Sequence, residues 1–138
     1  MTHALRPLAL FGLLAFVLAA GSASAQSHEP FTQARFDALQ AQGALVLVDV
    51  YAEWCPTCAQ QQRVLEAYRE AHPDVPLHVL TVDFDDQKPV VRQLRAPRQS
   101  TLILFRGGER VWFSVAETRR DAIFQALNEA AAGRTPGR

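Results

Sequence analysis

Between residues 44 and 51 the chain reads Ala-Leu-Val-Leu-Val-Asp-Val-Tyr, an almost unbroken apolar run rich in β-branched side chains. A strand wet on one face alternates apolar and polar residues, so a strand without alternation must be covered on both faces. That requirement selects a layered α/β fold with a largely parallel sheet. The neighbouring segments can supply the layers. Over residues 55–71, Val64, Leu65 and Tyr68 recur at helical spacing, and His72-Pro73 ends the helix because a residue before proline avoids helical geometry. A second apolar strand spans 77–84, followed by a short helix over 89–94 with proline in its first turn. A third strand over 101–105 turns through Gly107-Gly108 into a returning strand over 110–115. Thr32 caps a first helix running to Leu39, and Thr118 opens a last one with Ile123, Phe124 and Leu127 on its buried face. The expectation is an α/β three-layer sandwich: a mixed four-stranded sheet, helices on both faces, and a right-handed crossover between the first two strands.

The N-terminus reads as an address. Residues 1–25 carry Arg6 and no acid, and residues 8–20 are apolar apart from Gly12. Those 13 residues fall short of the ~20 that a membrane-crossing helix needs. Ala23-Ser24-Ala25 completes the small-x-small pattern of a signal peptide cleaved after Ala25. Residues 26–30 are then a polar leader, 31–131 the folded domain and 132–138 a polar tail, in a protein exported to the periplasm. The 14 basic and 14 acidic side chains cancel and no basic run occurs, which argues against nucleic acid as a partner.

Two cysteines remain, Cys55 and Cys58, in Trp54-Cys55-Pro56-Thr57-Cys58, where the first strand ends and the long helix begins. Two intervening residues in a helical turn let the sulfurs approach bonding distance without unwinding the helix. At the helix N-terminus Cys55 faces free N–H groups and the positive end of the dipole, which favour the thiolate. Cys58, one turn in, is shielded and suited to resolve a mixed disulfide. The same spacing serves as half of a zinc site, but no second pair exists and His28, His72 and His78 lack ligand spacing. A purely structural disulfide would close so short a loop that it removes little chain entropy. Asp49, an acid inside the apolar strand, should be desolvated with a raised pKa, either as a proton acceptor for Cys58 or as a structural aspartate.

Val48-Asp49-Val50-Tyr51-Ala52-Glu53-Trp54-Cys55 with Pro56-Thr57-Cys58, and residues 101–109, resemble the active-site segment and hairpin of the thioredoxin superfamily. Cys-Pro-Thr-Cys is similar to the periplasmic reductases of cytochrome c maturation, without their long insertions. The resemblance implies a thiol–disulfide oxidoreductase with Cys55 as nucleophile, Cys58 as resolver and Asp49 as proton relay. It implies a substrate-facing surface of Trp54, Pro56, Thr57, Gln99 and Ser100, disulfide-bearing proteins as substrates, and neither cofactor nor metal. Reduction is the expected direction, fed by a membrane electron donor, in a monomer. A disulfide oxidase or isomerase, a metal or cluster carrier using both thiolates, and a non-catalytic adaptor are the alternatives. Three departures stand out. The family's N-terminal strand has no convincing counterpart in residues 26–31, and its lysine partner to the buried acid falls at Thr81. Its cis-proline before the third strand falls at Ser100. A cis Gln99–Ser100 bond without proline would cost ~3–4 kcal/mol, so that bond is trans or held under strain.

Overall fold

The computed structural model describes residues 28–137, and the expected signal peptide lies outside them. The unbroken apolar run forms β2 (Leu45–Tyr51), buried along its length until Tyr51. Its side chains divide between two cores. Leu45 and Leu47 face one with Val64, Leu65, Tyr68, Ile123 and Leu127; Val46, Val48 and Val50 face the other with Phe31, Leu39 and Val91. Each such side chain contributes ~1.5–3 kcal/mol by leaving water, which is why the run cannot lie at a surface.

Around β2 the chain adds β1 (His28–Pro30), α1 (Gln33–Ala41), α2 (Pro56–Ala71), β3 (Leu77–Asp83), α3 (Lys88–Gln93), β4 (Thr101–Arg106), β5 (Glu109–Val115) and α4 (Arg120–Ala131). The sheet order is β1-β3-β2-β4-β5. β2 runs parallel to β3, with Asp49 opposite Thr81, and antiparallel to β4, with Asp49 opposite Leu102. α2 and α4 cover one face, while α1 and α3 border the other.

Two expectations need correction. The sheet has five strands, because part of the expected leader, His28–Pro30, pairs parallel with β3. Three mostly polar residues carry no strand signal. They are held by the ladder, by the buried Phe31 whose N–H donates to Thr81 O at 2.8 Å, and by a Glu29–Arg35 ion pair at 2.9 Å. The last helix is not capped by Thr118: its N-cap is Arg119, which makes no side-chain capping bond. The Glu117 carboxylate instead ties the turn that leads into the helix, accepting from the N–H groups of Thr118 (3.0 Å) and Arg119 (2.8 Å). An ionised carboxylate beside a helix start is favoured by the dipole. The tail turns back through Gly133 onto α4, where Arg134 N–H bonds Glu129 O and Pro136 is buried.

Candidate active site

β2 ends at Tyr51, a turn follows, and Cys55 takes the N-cap of α2 with Pro56 in the first turn. Proline suits that place because its missing N–H has no partner there anyway. The local sequence therefore puts a sulfur where a cap oxygen usually sits. Cys55 Sγ accepts the Cys58 N–H at 3.1 Å, and the Cys58 thiol lies 2.6 Å from Cys55 Sγ. Both cysteines are free and buried. Burial alone pushes the Cys55 thiol up, but hydrogen bonds from the Cys58 thiol, the Ser100 hydroxyl and the N–H groups of Cys58 and Thr57 outweigh it. The net pKa lies below the ordinary thiol value. Burial, reinforced by Cys55 itself, holds Cys58 above that value. Equal chemical groups have been made unequal by one turn of helix.

Ser100 faces both sulfurs, its Oγ 3.1 Å from Cys55 Sγ and 3.3 Å from Cys58 Sγ. No peptide bond among the described residues is cis, so the Gln99–Ser100 bond is trans. Ser100 sits at φ +62°, left-handed backbone that only a few side chains tolerate. Its N–H donates to Val50 O and its carbonyl accepts from Ala116 N–H, each at 2.8 Å. The Gln61 amide donates to the same carbonyl at 3.1 Å and to Glu117 O at 2.9 Å. The adjacent Gln99 is half-buried, and its backbone enters no hydrogen bond within the described chain.

Asp49 is fully buried within β2, the strand that leads to the cysteine pair. Burial raises its pKa from 3.8 to about 7, opposed by a hydrogen bond from the Gln62 amide. Its Oδ1 and the Thr81 hydroxyl opposite are buried without a hydrogen-bond partner. Among the described residues no cation offsets the carboxylate, and Thr81 stands opposite it on the neighbouring strand. Trp54 is 61% exposed, so it does not serve the core, and its indole N–H donates to Asp85 Oδ2 at 2.7 Å. Pro56 is exposed and Thr57 half-buried beside it, whereas Trp112 packs against the core. Among the described residues no group of three or more His, Cys, Asp or Glu could hold a metal ion. A surface groove of about 1090 Å³ between β5, α4 and the tail is lined by Trp112, Phe113 and Gln125 among others and includes neither cysteine.

Sequence reasoning missed Gln61, Gln62 and Asp85. The first two had a signal: they stand three and four residues after Cys58, the inward helical spacing.

The sequence matches the family model described as Thioredoxin over residues 27–129. The chain belongs to the thioredoxin family. It is 35% identical over 85 residues to thioredoxin of Chlamydia trachomatis, covering 62% of this chain and 81% of that one. It is 34% identical over 96 residues to thioredoxin-1 of Saccharomyces cerevisiae, covering 70% and 90%. Among solved structures, Trxlp from Edwardsiella tarda is similar with a TM-score of 0.69 and 46% identity, over 73% of this chain and 98% of that one. A mutant thioredoxin from Halobacterium salinarum has the same TM-score of 0.69 at 27% identity, over 80% and 96%. Membership in the thioredoxin family makes the chain a thiol–disulfide oxidoreductase of the thioredoxin fold.

Proposed function

We propose that this thioredoxin-family protein is exported and reduces disulfides in other proteins, with Cys55 attacking, Cys58 resolving and Asp49 accepting the proton of Cys58. The observation that carries the reading is the asymmetry of the pair: Cys55 caps α2, while Cys58 is held protonated one turn inside. The Cys55 thiolate forms a bond to one substrate sulfur as the substrate S–S bond breaks, and the departing thiolate takes a proton from water. Cys58 then gives up its proton and attacks Cys55 Sγ. This closes the Cys55–Cys58 disulfide and frees the second substrate thiol, so two electrons have passed to the substrate. Asp49, with a pKa of about 7, is half ionised near neutrality, which suits an acceptor for that proton.

Trp54 and Thr57, with Pro56 between the cysteines and the unengaged backbone of Gln99, form the face a substrate meets. Reduction is favoured over oxidation because Pro56 brings no N–H and no histidine lies between the cysteines to stabilise the thiolate strongly. Export rests on residues 8–25 and on a cysteine pair matched to an oxidising compartment. There the spent disulfide needs a two-electron donor, for which a membrane partner is proposed, and the protein works as a single copy.

Equilibration with defined glutathione buffers tests the reading. A single two-electron transition on the reducing side of the disulfide oxidases is expected. A potential among the oxidases would reverse the direction, and no exchange at all would remove the oxidoreductase role. Export is checked by the N-terminus of the cell-envelope protein, expected at Gln26.

A further inference from the structure

Ser100 lies in contact with both reacting sulfurs from a left-handed backbone position and is pinned there on three sides. Its N–H is held by β2 through Val50 O, and its carbonyl by Ala116 N–H after β5 and by the Gln61 amide from α2. Such anchoring does nothing for the core, since Ser100 has no apolar bulk. Its effect is to fix one hydroxyl, fully buried, at 3.1 and 3.3 Å from Cys55 and Cys58. A hydroxyl has one proton to give and lone pairs to accept with. Its proton goes to the thiolate, since the Cys58 S–H already donates to Cys55 Sγ at 2.6 Å.

We infer that Ser100 is a catalytic residue: its O–H donates to the Cys55 thiolate and so stabilises the nucleophile, while the Cys58 S–H is engaged by Cys55 itself. The groups packed around Cys55 include Cys58 from α2, Tyr51 and Ala52 from the end of β2, Phe84 after β3 and Ser100 before β4. Cys58 and Tyr51 are the ionisable members of that set, and neither brings a positive charge. Among the described residues the donors onto Cys55 are neutral, namely the Cys58 thiol, the N–H groups of Cys58 and Thr57 and the Ser100 hydroxyl, and Ser100 is the one of them outside α2. Hydrogen bonds onto a charged acceptor are the strong kind, and removing one lowers the thiolate population about tenfold. The same loss disfavours the dithiol relative to the disulfide, so the hydroxyl makes the pair a weaker reductant than the rest of the site would. That consequence rests on the exchange reading above; the ionisation of Cys55 does not.

The test is the pH dependence of Cys55 alkylation in reduced wild type, Ser100→Gly and Ser100→Ala, read by peptide mass spectrometry. Glycine accepts φ +62° freely, so the first variant keeps the loop; alanine retains the Cβ, so agreement between the two isolates the hydroxyl. Both variants should react about tenfold more slowly than wild type near pH ~6, with the midpoint about one pH unit higher and the same plateau rate at high pH. The unchanged plateau reports that access to the sulfur is unaltered. Glutathione equilibria of the variants should move severalfold toward the disulfide. An unshifted midpoint in both variants overturns the assignment, even if their melting temperatures change. If wild type exchanges no electrons with glutathione, the oxidoreductase reading fails while the alkylation midpoint still decides the role of Ser100.

Discussion

Replacing Asp49 by Asn should stabilise the protein, and increasingly so as pH rises. Burial is the cause. The carboxyl titrates at about 7 in the folded chain against an ordinary 3.8. Between those values the folded state holds a proton that the unfolded chain has released. Stability from this group is therefore fully present below pH ~4 and is lost as pH rises through ~7. At 1.36 kcal/mol per pH unit the gap corresponds to ~4 kcal/mol once Asp49 is ionised in both states. Asn cannot ionise and keeps an oxygen for the Gln62 amide, but it sets an NH2 where Oδ1 now lies without a partner, which returns about 1 kcal/mol or more. The expected gain is ~2–3 kcal/mol at pH ~8, roughly 6–12 °C in Tm for a domain of this size, shrinking toward zero or below near pH ~4. Urea unfolding of both reduced proteins from pH ~4 to ~9 gives the difference directly, since all other titrations cancel. In single-turnover exchange the variant should release its mixed disulfide more slowly while forming it at the wild-type rate. A stability difference constant across pH ~5–8 would refute the argument, because Asp49 would then not be titrating late in the folded state.

Ser100→Pro should cost at least ~3 kcal/mol, because proline cannot adopt φ +62° and removes the N–H that bonds Val50 O; urea unfolding reads the loss. Had the preceding bond been cis, the same change would have been tolerated. Gln61→Leu should destabilise by ~1–3 kcal/mol, because Glu117 O loses its Gln61 donor and Ser100 O keeps only the Ala116 N–H. Proteolysis of the folded protein should then find the 116–119 loop sooner.

The layered fold was readable because β2 leaves no choice: seven residues without alternation need two cores, and both were found. The cysteine pair was readable for a similar reason, since its spacing and its place at a strand-to-helix junction dictate unequal thiols. Asp49 followed from one charge in an apolar run. What escaped were contacts made by backbone or by polar groups whose partners are remote in sequence. β1 is held by a ladder to residues about fifty positions away, and no side-chain pattern announces it. Thr118 does not cap the last helix, and the Glu117 carboxylate holds the turn before it by accepting from two successive backbone N–H groups. Ser100 was expected on the substrate-facing surface at the family's cis-proline place, yet its positive φ and its contact with both sulfurs emerge only from the packed loop. Gln61 stands at inward helical spacing from Cys58, but the two loop carbonyls it bridges are remote in sequence.

The order of attack by the two cysteines decides between this mechanism and its rivals, and trapping measures it. Reduced Cys58→Ser and Cys55→Ser proteins are mixed with a disulfide-bonded protein, acid-quenched, and the adducts located by peptide mass spectrometry. The Cys58→Ser protein should accumulate a mixed disulfide through Cys55, the Cys55→Ser protein should form adducts through Cys58 at least ~10-fold more slowly, and wild type should retain none. Comparable trapping through either cysteine would contradict the account.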